Sequence, residues 1–183
     1  TKFMSKVIDH MLKARKKIYE LIDLYKIKYD PVLHEEEHYT GGGKDITPQN
    51  KKFQEKIQKA THLIVIFPVW WNSTPAILKG FFDHIITVGF AYRFKPFYGK
   101  TGIPVQLLKG RKAVIFNTSG SHRFLHWLIE GDLAGKVVAH DTLGFSGIKS
   151  KYYTVGSAVV LDDSQIRKIK KVVPKGLYWL YHK

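Results

Sequence analysis

The sequence contains no cysteine, and acidic side chains are scarce. Without thiols the chain can form no disulfide, thiolate metal site or cysteine nucleophile, which is typical of proteins in a reducing compartment. Its 15 Asp and Glu residues are outnumbered by 30 Lys and Arg residues, which gives a formal net charge of +15 and a pI of about 9.8. A surface with this excess of positive charge favours anions, whether nucleic acid, lipid headgroups or phosphorylated small molecules.

Long apolar runs, internal repeats and low-complexity linkers are also missing. No apolar run approaches the ~20 residues that span a bilayer, and no basic-then-apolar signal segment opens the chain. Of the 183 residues, 44% are hydrophobic and 14% are aromatic, which is enough apolar material for one sizeable core. We therefore expect a single cytoplasmic domain that covers residues 1–183.

Helix and strand patterns alternate along the chain. Helix signals are the apolar spacing of residues 1–15, the starts Thr47-Pro48, Thr74-Pro75 and Asp162, and a stretch from about Phe124. Strand patterns occupy residues 18–25, 62–67, 113–116 and 152–155, and a Gly- and aromatic-rich connection covers residues 89–110. This alternation predicts a doubly wound parallel α/β sheet, in which ligands bind beyond the carboxyl ends of the strands.

Two loops follow neighbouring strands of this predicted sheet. The first contains Trp70 and Trp71 just before a helix start, so flat apolar side chains and free N–H groups could hold a planar heteroaromatic ligand such as a flavin. Alternatively, one of these tryptophans plugs the top of the core. The second loop, residues 117–121, offers small residues and hydroxyls, as an ordinary turn also does. Together the loops predict one shared site.

Residues 62–80 (HLIVIFPVWWNSTPAILKG), 89–92 (GFAY) and 108–113 (LKGRKA) resemble the flavodoxin-like NAD(P)H:quinone oxidoreductase family, the DT-diaphorase relatives. Residues 23–25 and 30–33 resemble that family's second strand and the turn after it. The resemblance implies a flavodoxin-like sheet of five parallel strands in the order 2-1-3-4-5. It also implies a homodimeric enzyme that carries FMN or FAD, takes hydride from NAD(P)H and reduces a quinone.

The resemblance further implies roles for individual residues. The isoalloxazine ring would be lined by Pro68, Val69, Trp70, Trp71 and Asn72, and its pyrimidine edge by Asn117, Thr118, Ser119 and Gly120. Tyr92 and Phe94 would reach toward the acceptor pocket across the dimer interface. Protein groups near the flavin would tune its hydride chemistry and stabilise the reduced ring.

The sequence departs from the family pattern after the second loop. Phe124 and Glu130 stand where the better-known eukaryotic members have a Tyr and a His that take up charge on the reduced flavin. A glutamate donates a proton at neutral pH only if its pKa is raised. His122 and His126 lie nearby and are further candidates for this role, the alternative being a structural or surface position.

A second departure concerns the amino-terminal end. The family begins with a strand and a phosphate-binding loop, whereas this sequence begins with Thr1 and a helix pattern. That strand is central in the 2-1-3-4-5 order, and without it two strands would keep unpaired backbone groups inside the protein. We therefore expect about 15 to 20 residues to be missing from the sequence rather than from the natural protein.

Three other features carry less weight. Residues 34–38 (HEEEH) match the H-E-x-x-H pattern of zinc proteases, but they lie between Pro31 and three glycines, which favours a solvated acidic patch. Residues 41–44 (GGGK) lack the spacing of a phosphate-binding loop. The apolar and aromatic residues 178–181 are expected to pack on the core or in a dimer interface. Asp132, Asp141, Asp162 and Asp163 are expected to be caps or surface charges.

The sequence therefore predicts an NAD(P)H dehydrogenase (quinone) that works by alternating, ping-pong hydride transfers. The alternative is a flavodoxin-like regulatory subunit of a partner such as a membrane ion transporter. No nucleic-acid partner is expected, because the lysines lie on the polar sides of predicted helices without interleaved aromatics. The positive charge would instead attract the pyrophosphate of NAD(P)H, an acidic partner or a membrane surface.

Overall fold

The computed structural model describes residues 1–37, 46–98, 101–122, 124, 128 and 131–182. Its helices are α1 (Lys2–Ala14), α2 (Pro48–Lys59), α3 (Ala76–Ile85), α4 (Leu133–Lys136, continued by a π-helix over Val137–Gly144) and α5 (Asp163–His182). Its strands are β1 (His62–Pro68), β2 (Tyr92–Tyr98), β3 (Thr101–Gln106), β4 (Lys112–Thr118) and β5 (Lys149–Val155). No helix within these ranges is both long and apolar enough to cross a membrane.

The main sheet consists of three parallel strands in the order β1-β4-β5. The central strand β4 is buried along almost its whole length, which explains its continuous apolar run. Val114 and Phe116 pack with α1 and α5 on one face, whereas Ala113 and Ile115 pack with α3 and α4 on the other. The prediction of an α/β sheet covered by helices on both faces is confirmed.

Local signals for helix ends agree with the structure in most places. The hydroxyl of Thr47 accepts a hydrogen bond from the Asn50 N–H, and the carboxylate of Asp162 accepts one from the Gln165 N–H. The start of α3 differs by one residue, because Pro75 rather than Thr74 is its N-cap. At the carboxyl end, Leu180 is buried against the α1 side of the sheet with Trp179 and Tyr181 packed beside it, so these three residues pack on the core, whereas Tyr178 is exposed.

Residues 18–25 do not form the predicted strand. Ile18 is fully exposed, and a turn follows in which the Asp23 carboxylate accepts hydrogen bonds from the N–H groups of Tyr25 and Lys26. An apolar pattern becomes a strand only when a neighbouring strand accepts its backbone hydrogen bonds. In the described residues no strand pairs with the outer edge of β1. The first two strands of the order 2-1-3-4-5 therefore have no counterpart among the described residues.

The connection over residues 89–110 also differs from expectation, because it contains the antiparallel hairpin β2–β3. Pro96 and Pro104 argue against strands in the sequence, because proline lacks the N–H that donates a hydrogen bond to a neighbouring strand. Both strands lie at an edge of their two-stranded sheet, where a proline is tolerated.

Gly80 of α3 allows the backbone at Pro31 to pack directly on that helix. A Cβ atom at Gly80 would lie 2.1 Å from the Pro31 carbonyl oxygen and 2.6 Å from its Cα. We expect Gly80→Ala to lower the free energy of unfolding by about 1–3 kcal/mol despite the better helix propensity of alanine. Urea denaturation measures this, with the exposed neighbour Lys79→Ala as the control. Equal stability of the Gly80→Ala variant and the unaltered protein would contradict the close approach.

Candidate functional site

The backbone turns sharply after β1, at Trp71 and Asn72. The Val69 N–H donates to the Thr118 carbonyl at 2.7 Å, which ties this loop to the end of β4. Trp70 and Ser73 exchange backbone hydrogen bonds of 3.0 and 2.9 Å. Between them, Trp71 has a φ of 48° and Asn72 a φ of 55°. Two successive positive φ angles closed by such a pair are characteristic of a type I′ turn.

This turn presents its aromatic side chains to solvent. Trp71 is 98% exposed and Trp70 is 61% exposed, so neither plugs the core and that alternative is wrong. A left-handed conformation at a bulky residue costs on the order of 1–3 kcal/mol, and such strain concentrates at functional sites. The turn therefore holds a large flat ring in the open at the carboxyl end of β1, where folding alone gains little from it.

The carboxyl end of β4 is polar but buried. Asn117 is completely buried, and neither the nitrogen nor the oxygen of its side-chain amide has a hydrogen-bond partner within the described ranges. Leaving a buried polar group unpaired costs about 1–3 kcal/mol, and such a group calls for an explanation such as a ligand. The amide of Asn117 is therefore a candidate contact for a hydrogen-bonding ligand.

The loop after β4 combines a turn with space for close approach. Ser119 donates its N–H to the Val155 carbonyl, and its hydroxyl oxygen accepts a hydrogen bond from the Ser121 N–H at 3.2 Å. Gly120 is exposed, and a Cβ there would meet only Val159, at 3.6 Å. The segment thus forms a turn, as one interpretation predicted, and it also leaves the backbone at Gly120 accessible.

A buried carboxylate adjoins the end of β4, and the sequence analysis missed it. Thr154 of β5 is the cross-strand partner of Asn117, and its hydroxyl donates to the Asp132 carboxylate at 2.8 Å. Asp132 is fully buried, so it is not a surface charge; it is the N-cap residue of α4, although its side chain makes no capping hydrogen bond. In the sequence, this position is marked by the pair Gly131-Asp132, which is typical of a turn. In the structure, both residues adopt a positive φ. Asp132 holds β5 beside the candidate site.

Of the four candidate catalytic residues, the structure describes Tyr92 and His122. The Tyr92 ring packs on Phe145, with centroids 4.8 Å apart, and on Phe94 at 5.6 Å. His122 is exposed, and its Nδ1 accepts a hydrogen bond from the Phe124 N–H at 3.3 Å. His126 and Glu130 lie outside the described residues. His122 directly follows the second loop, and the roles of all four residues stay predictions.

Glu37 of the HEEEH segment is buried against His84 of α3. Glu35–Glu37 form a short 3-10 helix, and the Glu37 carboxylate lies 3.1 Å from Nε2 of His84, with 7% and 3% of the two side chains exposed. The Asn50 amide also donates to Glu37 at 3.4 Å. Burial, and after it the negative charge of Glu37, raise the pKa of the nearby Tyr29 hydroxyl. The expected solvated patch is thus wrong for Glu37.

No zinc site accompanies this motif in the described part of the chain. There, no group of three or more His, Asp or Glu side chains is placed to hold a metal ion. The His34 imidazole instead forms a hydrogen bond with the Asp30 carboxylate, and this bond raises the pKa of His34. His38 and residues 41–44 lie outside the described residues.

Known proteins are similar to this chain in sequence. An uncharacterized NAD(P)H oxidoreductase from Haemophilus influenzae is 27% identical over 148 residues, which are 80% of this chain and 70% of that protein. The NAD(P)H dehydrogenase (quinone) 1 of Cavia porcellus is 34% identical over 133 residues, or 61% of this chain and 46% of that protein. The match therefore spans about half the length of the mammalian relative.

A solved structure extends the similarity to three dimensions. The NAD(P)H:quinone oxidoreductase from Methanothermobacter marburgensis is 26% identical, with a TM-score of 0.77 over 94% of this chain and 88% of that one. The family described by a flavodoxin-like fold matches residues 2–172. With its parallel sheet, helices on both faces and this match over nearly the whole chain, the protein belongs to the flavodoxin-like fold family.

Proposed function

We propose that this chain binds a flavin, FMN or FAD, and transfers hydride from NAD(P)H to a quinone or a similar acceptor. The observation that carries the proposal is the combination of exposed Trp71 and buried, unpartnered Asn117 at the ends of neighbouring strands. A planar ring with a hydrogen-bonding edge fits both, since the ring can stack on an indole while its edge pairs with the amide.

The residues of the two loops would position such a ring. Pro68, Val69, Trp70 and Asn72 accompany Trp71 along one side, while Thr118, Ser119 and Gly120 continue from Asn117 along the pyrimidine edge. The Trp71 indole would exclude water from the ring. The Asn117 amide, which has both a donor and an acceptor, would orient it. When bound, the flavin supplies alternating acceptance and donation of two electrons as hydride.

The surroundings of the site are suited to the other reactants. The net charge of +15 favours the pyrophosphate of NAD(P)H, and this attraction should weaken as salt rises. Phe94 is 46% exposed on the β2–β3 hairpin. In a homodimer, Phe94 with Tyr92 would reach the acceptor pocket of the other subunit. The names of the Cavia and Methanothermobacter relatives support a quinone as the acceptor.

Steady-state turnover tests this proposal and separates it from the alternative. We expect protein loaded with FMN or FAD to oxidise NADH or NADPH when a soluble quinone is present. Parallel lines in double-reciprocal plots would indicate the ping-pong order, and chromatography of the released cofactor identifies FMN or FAD. Flavin binding without turnover would contradict the enzyme and favour the regulatory subunit of a membrane transporter.

A further inference from the structure

Three buried polar side chains meet at the carboxyl ends of β4 and β5. Asn117 and Thr154 are cross-strand partners in this parallel pair. Because side chains alternate between the two faces of a strand, Asn117 follows Ala113 and Ile115 on the face covered by α3 and α4, and Thr154 lies beside it there. Asp132, the N-cap residue of α4, reaches Thr154 from this same face. The three residues therefore form one polar cluster under the candidate site.

The Thr154 hydroxyl has one proton to donate, and two acceptors compete for it. A hydroxyl donates a single hydrogen bond, and a threonine can form such a bond with the side chain directly opposite on a neighbouring strand. In the structure the hydroxyl donates to the Asp132 carboxylate at 2.8 Å. A carboxylate is a stronger acceptor than a neutral amide oxygen. Within the described ranges the Asn117 amide has no partner, although a hydroxyl lies next to it.

We propose that Asp132 is a positioning residue whose carboxylate captures the Thr154 hydroxyl and thereby keeps the Asn117 amide free for the flavin. The inference rests on the proposed function, since that function makes Asn117 the contact for the edge of the flavin. Asp132 acts before the flavin binds and does not need to touch it. An Asn117 oxygen already paired with Thr154 would have to give up that hydrogen bond before it could accept one from the flavin, and the affinity would fall accordingly.

A purely structural role for this hydrogen bond makes a different prediction. If the bond did no more than hold β5 in place, removing either of its ends would disturb the site equally. In our proposal the two ends are not equivalent. Asn117 is lost to the flavin only when the Thr154 hydroxyl remains and its acceptor, the Asp132 carboxylate, is gone. Removing the hydroxyl breaks the same bond but leaves Asn117 free.

Fluorescence titration of the unaltered protein and three variants with FMN and with FAD tests the inference. Asp132→Gly removes the carboxylate without backbone strain, because glycine readily adopts the φ of 56° found at this position. It should weaken flavin binding about tenfold, as the freed hydroxyl turns to Asn117. Thr154→Val is the matched control and should bind within about twofold of the unaltered protein. The double variant of Asp132→Gly with Thr154→Val should recover this affinity, although it has lost more native contacts.

A second replacement of Asp132 keeps the inference testable if Asp132→Gly does not fold, which circular dichroism shows. Asparagine also adopts the left-handed conformation, and it nearly preserves the size of the side chain. Its neutral oxygen competes less well than a carboxylate for the Thr154 hydroxyl. We expect Asp132→Asn to weaken flavin binding about fivefold, and the additional Thr154→Val replacement to reverse this loss.

A crystal structure of the flavin-free Asp132 variant detects the same event without flavin binding. We expect Oγ1 of Thr154 within about 3.2 Å of the Asn117 amide oxygen. A hydroxyl that stays away from Asn117, equal losses in the two single variants, or a double variant that binds no better than the Asp132 variant would each overturn the inference. If the unaltered protein bound neither flavin, the proposed function would fail instead, and the crystal structure would still decide whether Asp132 keeps the Asn117 amide free.

Discussion

Replacing Trp71 with alanine is expected to give a folded protein that no longer retains flavin. The indole is 98% exposed, so its removal takes no contact from the core. Loss of a stacking surface of this size should weaken flavin binding by about ten- to a hundredfold. Fluorescence titration with FMN and with FAD measures the affinity. Tyr25→Ala, which removes another exposed aromatic ring, is the control.

Unchanged flavin content in Trp71→Ala would mean that the stacking assignment is wrong. A second replacement separates the ring from the backbone, because glycine adopts a φ of 48° without steric cost. We expect Trp71→Gly to bind flavin as poorly as Trp71→Ala but to unfold with a free energy higher by up to about 1 kcal/mol. Equal stability of the two variants would show that the turn stores no strain.

The second large effect is expected at the buried pair of Glu37 and His84. Glu37→Ala should lower the free energy of unfolding by about 2–4 kcal/mol, because it leaves the His84 ring and the Asn50 amide buried without their partner. Urea denaturation followed by circular dichroism measures the loss. The exposed Glu36 in the same 3-10 helix is the matched control, and Glu36→Ala should change stability by at most about 0.5 kcal/mol.

If Glu37→Ala and Glu36→Ala were equally stable, the contact between Glu37 and His84 would contribute nothing to the free energy of unfolding. Residues 34–37 would then be held by other contacts. Glu37→Gln is the intermediate case, since its amide keeps one hydrogen bond but loses the charge. We expect it to fall between Glu37→Ala and the unaltered protein.

The elements that the sequence predicted correctly are those with local causes. β1 and β4 of the main sheet contain continuous apolar runs that pack on both faces of the sheet. Thr47 and Asp162 begin helices through hydrogen bonds within one turn. Residues 18–25 have an equally suggestive pattern, but a strand depends on a partner elsewhere in the chain. A local pattern contains no information about whether that partner is present.

The candidate site shows the same division. The tryptophans and Asn117 could be placed at strand ends from the order of elements alone, because parallel strands end on one edge of a sheet. The sequence alone could not predict the exposure of Trp71, the left-handed turn or the missing partner of Asn117. Each of these depends on packing between distant segments. The burial of Asp132 and Glu37 was missed for a related reason, because acidic residues are buried only when a distant group pairs with them.

The most direct test of the central claim is an anaerobic titration of the purified protein with NADH and NADPH, followed by its visible absorbance. If the two loops hold a flavin that accepts hydride, the protein is yellow as purified or after addition of FMN or FAD, and either nucleotide bleaches it. A colourless protein that remains inactive after both flavins have been added back would contradict the account.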